Sequence, residues 1–316
     1  MKLSASLPST PRSIDAVVVG ENSIDLVATV GHYPRVDSKH ELIDFAEQPG
    51  GEGAAAAVGL ARLGWRTKYV GRFGGDQWGQ RGQSSLVNEG VNVDDAIVVP
   101  GATSRFAIVI VESSFGTRTV LWQRAPELAL EARDIKDEIL QQTQVLLIGS
   151  DDVPAMTSAA RRARAQTVRT VGDLERIHAG TDALLRELDV VIMAASFPER
   201  FTGKSQLGAA LRAVAEHSGA ALACVTLGEE GCLALAGGQE VRVPAIKVDV
   251  VDSTGAGDLF RAGLIGRWLL EPAGPEVQDL LRYATAVAAL NCRARGAWAG
   301  APRAAEVEAL LGSWQG

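Results

Sequence analysis

Short β-branched runs alternate with longer stretches of helical period along most of the chain. Residues 15–20, DAVVVG, are a continuous apolar run closed by glycine, the pattern of a strand buried on both faces of a parallel sheet. Residues 53–64, GAAAAVGLARLG, carry helix-forming alanines and a glycine stop, and TKYVG follows as a second short strand. The same pairing of helical period with a β-branched run recurs over residues 159–172, 184–193 and 211–226. This alternation predicts an α/β fold: a doubly wound, mostly parallel sheet flanked by helices, with ligands at the carboxyl ends of its strands.

Two segments, about 24–47 and 102–123, break the rhythm with strand formers. The second, RFAIVIVESSFGTRTVLWQ, reads as a hairpin turning at residues 114–116. Together they predict a small β-sheet lid over the strand ends. Isolated ribbons are marginal in water, so such a layer needs the main domain, a ligand or a second subunit beside it. Exposed lid edges lead to the expectation of a homodimer joined through the lid. Residues 1–13 carry Pro8 and Pro11 and no apolar core, and read as a disordered leader to one domain over residues 14–316.

Composition narrows the function. A hydrophobic content of 47% supports a sizeable core, and the formal charge of −7 is spread along the chain. Neither a nucleic-acid groove nor an anionic membrane is the expected partner; a small molecule is. No run reaches the roughly 18 apolar residues of a membrane span, and with no signal peptide the expected place is the cytoplasm. Cys224, Cys232 and Cys292 read as reduced core thiols, and the four histidines show no metal-ligand spacing.

The chemistry concentrates in VDVVDSTGAGDLFRAGLIGRWLL, residues 248–270. VDVV reads as a strand, Gly255, Ala256 and Gly257 as a loop that lets the backbone approach a ligand, and the apolar run after them as a helix. Free amides at a helix start attract anions, so this is a phosphate or oxyanion cradle. Asp258, in the first turn, either acts as a base on an attacking hydroxyl or complements the helix dipole; the residues alone leave both readings open.

DSTGAGD followed by F-x-x-G resembles the second signature of the ribokinase-like (phosphofructokinase-B) family, and GGEGAAAAVGLARLGWRTKYVGRFGGDQWG, residues 50–79, resembles its first. The resemblance runs from about residue 16 to 302. It implies an ATP-dependent sugar kinase that uses Mg2+, with Asp258 as base and the amides of Gly255, Ala256 and Gly257 as the anion hole. It implies further that Asp25, Gly50 and Gly51 line the sugar pocket, and that Thr226, Gly228 and Gly231 in TLGEEG, with Gly255 and Gly257, meet the nucleotide. AALNCRARGAWAG resembles the loop whose carbonyls, with Asp252, bind a monovalent cation, which implies K+ held around Asp252, Thr254, Cys292, Arg295 and Gly300.

Ala55 stands where many members have asparagine, and MAASFPERF lacks the N-x-x-E element that helps organise magnesium, leaving that ion to ATP phosphates and water, with Asp173 or Glu175 of VGDLER as candidate helpers. Within the family the chain is similar to the ketohexokinase and sulfofructose kinase subgroup, which implies a ketose or modified ketose, with Lys39 of the lid either a substrate contact or a solvated lysine; Arg105, Arg118 and Trp122 lie on the second lid segment, where they either read substrate or pack the lid. The acids of GSDDVPA stand against a sulfonated acceptor. Sugar acids or nucleosides are the alternative acceptors, and a non-catalytic nucleotide or sugar sensor the alternative class. GGEGAA with the later Asp76 loosely imitates a dinucleotide fingerprint, but Gln48 and Pro49 interrupt the strand that should precede it, and the cluster at residues 252–258 would go unexplained.

Overall fold

A computed structural model describes residues 1–114 and 118–314. The first elements are strands β1 (Ile14–Val19), β2 (Ser23–Val30) and β3 (Asp44–Gly50), helix α1 (Glu52–Arg62) and strand β4 (Thr67–Val70). Short strands β5 (Arg72–Gly74) and β6 (Ile97–Val99) flank α2 (Gln77–Asn88), and the pair β7 (Phe106–Glu112) and β8 (Arg118–Gln123) follows. The turn expected at residues 114–116 falls mostly outside the described residues. Regular alternation then sets in: α3 (Asp137–Gln141), β9 (Thr143–Ile148), α4 (Val153–Ala165), β10 (Arg169–Leu174), α5 (Thr181–Leu185) and β11 (Val190–Ala194). After α6 (Phe197–Thr202) and α7 (Leu207–Ser218) come β12 (Leu222–Thr226), β13 (Cys232–Ala236) and β14 (Gln239–Val243). Helices α8 (Ala256–Leu270), α9 (Val277–Asn291) and α10 (Ala304–Ser313) close the chain.

The main sheet has eight strands in the order β14-β13-β12-β11-β10-β9-β1-β4, parallel from β4 to β12 and antiparallel at the β13 and β14 edge. Its β-branched runs are buried on both faces because side chains alternate between two cores. Ala16 and Val18 join the core of α1, α8 and α9, while Val17 and Val19 join that of α4, α5 and α7. Small residues let the helices on the first face approach closely. A Cβ on Gly59 of α1 would stand 2.5 Å from Leu259 of α8, and one on Gly263 would stand 2.8 Å from the Ala284 backbone of α9. The start of α8 is thereby fixed against the sheet.

A second sheet, β3-β2-β7-β8, is antiparallel at its outer pairs and parallel between β2 and β7. It is built from the two segments that interrupted the alternation. Its register places Asp25, Ala107, Trp122 and Gln48 in one row across the sheet; Leu26, Ile108, Leu121 and Glu47 form the next row, on the opposite face.

Two expectations are corrected. Residues 1–13 are not a disordered leader: Leu3, Ala5 and Leu7 are buried, and the amides of Leu3 and Leu7 donate to Pro275 O (2.9 Å) and Pro272 O (2.7 Å). Arg12 donates to Thr143 O (2.6 Å) and Gln166 O (2.7 Å) at the base of the sheet. Spaced apolar side chains hold this segment against the α8–α9 connection where no continuous apolar run exists. Residues 248–251 are not a strand either. They lie beyond edge strand β14, Val250 and Val251 are 64% and 58% exposed, and the amides of Val251 and Asp252 both donate to Cys292 O. Among the described residues, no helix is long and apolar enough to cross a membrane.

Candidate active site

Residues at the carboxyl ends of β1, β9 and β10 converge with the starts of α1 and α8. Glu52 Oε1 lies against Gly20 and Gly149 and accepts the Glu21 amide (2.9 Å), while Arg261 of α8 reaches Asp173 at the end of β10.

The loop before α8 is held by its own polar groups. Asp252 Oδ1 accepts the amide (2.9 Å) and hydroxyl (2.7 Å) of Thr254, and Oδ2 accepts the Gly296 amide (2.9 Å). Burial pushes the Asp252 carboxyl up, but these bonds and the charge of Arg118 outweigh it and the pKa is lowered. Buried Asn291 donates from Nδ2 to Thr254 O (3.0 Å) and Ala297 O (3.1 Å), tying the loop to the segment after α9. Gly255 caps α8 with φ 75°, and a Cβ there would lie 1.9 Å from Ala297 O.

The amides of Gly255, Gly257 and Asp258 meet no acceptor among the described residues, at the positive end of a 15-residue helix. Ala256 departs from expectation: its amide donates to Ser253 O at 3.2 Å, closing the turn rather than facing a ligand. The cradle therefore consists of Gly255, Gly257 and Asp258 amides.

The Asp258 side chain keeps 18% of its exposure, and its Oδ1 receives Arg261 Nη1 at 3.3 Å. Burial pushes its pKa well above the usual carboxylate range; Arg261 opposes that shift, while Asp173, Glu52 and Glu175 add to it. Burial also pushes Asp173 up to about 7, again against Arg261.

On the second sheet, Asp25 Oδ1 accepts the Ser23 hydroxyl (2.7 Å), and a Cβ on Gly50 would lie 2.3 Å from Asp25 Oδ2. Only glycine leaves room beneath that carboxylate. Burial raises the Asp25 pKa against the Ser23 bond and Arg105. Gly51, at φ 99°, crosses the Asn22 backbone and opens α1. The structure thus brings Asp25, Gly50, Gly51 and Arg105 together. Arg105 Nε stands 2.8 Å from Glu21 Oε2, an ion pair whose angle falls short of a hydrogen bond, and its guanidinium lies 5.5 Å from the Trp122 ring centre.

Glu21 gathers two more arginines. Arg124 Nη1 donates to Glu21 Oε1 (2.9 Å) and Nη2 to Asp152 (2.8 Å); Arg176 lies 3.6 Å from Glu21 Oε2, donates to Asp151 (2.6 Å) and sits 4.9 Å from the Trp122 centre. Burial, with Glu52 and Asp151 beside it, pushes Glu21 up to about 7 despite Arg105 and Arg124. Asp151 and Asp152, read as repelling an anionic acceptor, are thus each neutralised by an arginine.

Other expected residues stand apart. Lys39 is exposed in the connection between β2 and β3. Thr226 ends β12 and donates to Met193 O at 3.4 Å, and Gly228 and Gly231 take positive φ in the turn after it. Arg295 pairs with Asp44 of β3, and a Cβ on Gly300 would lie 2.4 Å from Asn291 O. The Cys292 carbonyl already accepts two amides. Asp76, the acid of the dinucleotide imitation, caps α2 by accepting the Gly79 amide (2.8 Å). Strand β3 does run unbroken to Gly50, but it belongs to the antiparallel edge of the second sheet rather than to a βαβ unit. Glu21, Arg261 and Asn291 escaped the sequence reading. Arg261 left one signal: it is a lone cation within a helix segment otherwise apolar on every side.

Comparison with known proteins gives the family. The profile of the pfkB family carbohydrate kinases matches residues 13–304. Fructokinase-1 of Oryza sativa subsp. japonica is 28% identical over 96% of this chain and 99% of its own length. Ribokinase of Bacillus subtilis (strain 168) is 27% identical over 93% and 98%. The structure of Arabidopsis thaliana ribokinase complexed with ribose and ATP superposes with a TM-score of 0.80 at 24% identity, covering 94% of this chain and 98% of that one. With one family spanning almost its whole length, the chain belongs to the pfkB family of carbohydrate kinases and is a sugar kinase.

Proposed function

We propose that the chain transfers the γ-phosphoryl group of ATP to a hydroxyl of a ketose or modified ketose, with Asp258 as the base. One observation carries the reading: a carboxylate on the first turn of α8 stands beside three uncommitted amides at the positive end of that helix. The amides of Gly255, Gly257 and Asp258 gather the charge of the migrating group, and the Asp258 carboxylate takes the proton of the attacking hydroxyl. A base whose pKa lies above the usual carboxylate range is better matched to a hydroxyl at neutral pH.

The acceptor lies over Asp25, Gly50 and Gly51, under the β2–β3–β7–β8 sheet acting as a lid, with Arg105 and Trp122 on its inner face. Lys39 is a further lid contact. The nucleotide runs from the cradle toward Thr226, Gly228 and Gly231, and magnesium is carried by its phosphates and water. Potassium is assigned to the Asp252 loop with Thr254, Arg295 and Gly300; the Cys292 carbonyl, whose two lone pairs take the Val251 and Asp252 amides, is left out of the set. A carboxylate offers about four lone-pair directions, so Asp252 keeps room for one ligand beyond its three donors. Two copies clasp through their lids.

An ADP-release screen over ketoses, aldoses, sugar acids, sulfonated sugars and nucleosides tests the acceptor, and a ketose should turn over fastest. Asp258→Asn should lose about 10²–10⁴-fold in kcat while still binding ATP. Retained turnover in that variant removes the mechanism.

A further inference from the structure

Arg261 is 5% exposed, yet it carries a full charge on the buried side of α8. A buried guanidinium requires partners, and this one has two carboxylates from different elements: Nη2 on Asp173 of β10 and Nη1 on Asp258 Oδ1. It also lies directly under the cradle, since a Cβ on Gly257 would stand 2.7 Å from Arg261 Nη1. Asp173 is thereby committed to an arginine at the point where the strand ends meet α8.

We propose that Arg261, anchored by Asp173, is the positioning residue of the base: it pins Asp258 Oδ1 and leaves Oδ2 toward the acceptor hydroxyl. This rests on the reading of Asp258 as the base. The charges that bear on Asp258 are Asp173 of β10, Glu175 just after it, Glu52 of α1 and Arg261 of its own helix. Three of the four are acids, so Arg261 is the one cation among them that favours the ionised, proton-accepting form against burial. The opposite charges of Arg261 and Asp173 give the arrangement a signature that a plain structural ion pair lacks. Removing the arginine makes Asp258 harder to ionise, whereas removing the Asp173 charge makes it easier and leaves the guanidinium wholly to Asp258.

Titration of 13C-labelled aspartate carboxyls by NMR reads this directly, with the Asp258 signal assigned by its loss in Asp258→Asn. In Arg261→Gln the midpoint should move to higher pH, in Asp173→Asn to lower pH, and in Arg261→Lys it should lie between wild type and Arg261→Gln. Midpoints that stay put, or that move the same way in Arg261→Gln and Asp173→Asn, overturn the proposal. Should Arg261→Gln fail to fold, Asp173→Asn and Arg261→Lys still carry the comparison. The titration needs no acceptor, so it succeeds or fails apart from the base assignment, which stands or falls on phosphoryl transfer by Asp258→Asn. With the preferred sugar, the acidic limb of kcat should track the same midpoints while KM for ATP stays unchanged.

Discussion

Gly255 is where the cradle is most sensitive to one atom. Its φ of 75° costs a residue bearing a Cβ about 1–2 kcal/mol, and the added carbon would also lie 1.9 Å from Ala297 O, a backbone atom that cannot swing aside. Asn291 holds that carbonyl and Thr254 O with one amide group, so displacing either drags the other. Gly255→Ala should therefore lower Tm by a few degrees. It should lower kcat far more than such a stability loss explains, as calorimetry and initial rates on the same preparation would reveal. Equal kcat in the variant would mean that the loop is not part of the cradle. The contiguous run at residues 255–258 marked the loop in the sequence, but which of its amides stay uncommitted was not legible: Ala256 turns back to Ser253 O, and the Asp258 amide takes its place. Arg261, Glu21 and Asn291 were not legible for a separate reason. A helix arginine, an acid after a strand and an asparagine at a helix end are ordinary until Asp173, Arg124 or Ala297 arrive from 88, 103 or 6 residues away.

Among the elements, β8 and β3 reach across to the loop before α8 and the segment after α9. Arg118 at the start of β8 donates to Ser253 Oγ (2.9 Å) and lies 3.9 Å from Asp252, while Asp44 at the start of β3 pairs with Arg295. These contacts couple the position of the lid to the loop that carries the cradle. Arg118 is partly exposed, and an exposed ion pair contributes about 0–1 kcal/mol. Arg118→Ala should thus leave Tm nearly unchanged and lower kcat/KM for the sugar by at most about fivefold. The difference from wild type should shrink in 1 M salt; a salt-independent loss would assign Arg118 some other role. The helix–strand repeats were legible from period, and the strands of the second sheet from strand-forming residues that broke it. Two elements misled. Residues 248–251 have the composition of a strand, but their backbone partner is the Cys292 carbonyl and no edge strand extends to meet them. Leu3, Ala5 and Leu7 are spaced like a strand's buried face yet separated by serines, a pattern whose meaning depends on the surface they meet.

For the whole molecule, the second sheet poses a question of solubility. Its inner face carries Asp25 and Trp122 toward the site, and the register sends Ile108 and Leu121 to the other side, joined by Phe45, Ala28 and Ile110 in the next row on that side. Phe45 is 56% exposed and Leu121 54%, and Ile43, whose amide donates to Thr29 O, is exposed just ahead of β3. A monomer that left this face in water would expose the kind of contiguous apolar patch that marks an interaction surface. A second copy of the same lid, related by a twofold axis, would cover it with its own equivalent and put the two clasped sheets over both sites. Light scattering at micromolar concentration should then give about twice the 33.2 kDa of the chain. Placing charge in the centre of the patch, with Phe45→Glu and Leu121→Lys together, should return the mass to that of one chain. Because a lone lid has fewer contacts to hold it over the acceptor, the same variant should raise KM for the sugar more than KM for ATP. A wild-type protein that scatters as a monomer would remove the clasp and leave the outer face to a different partner.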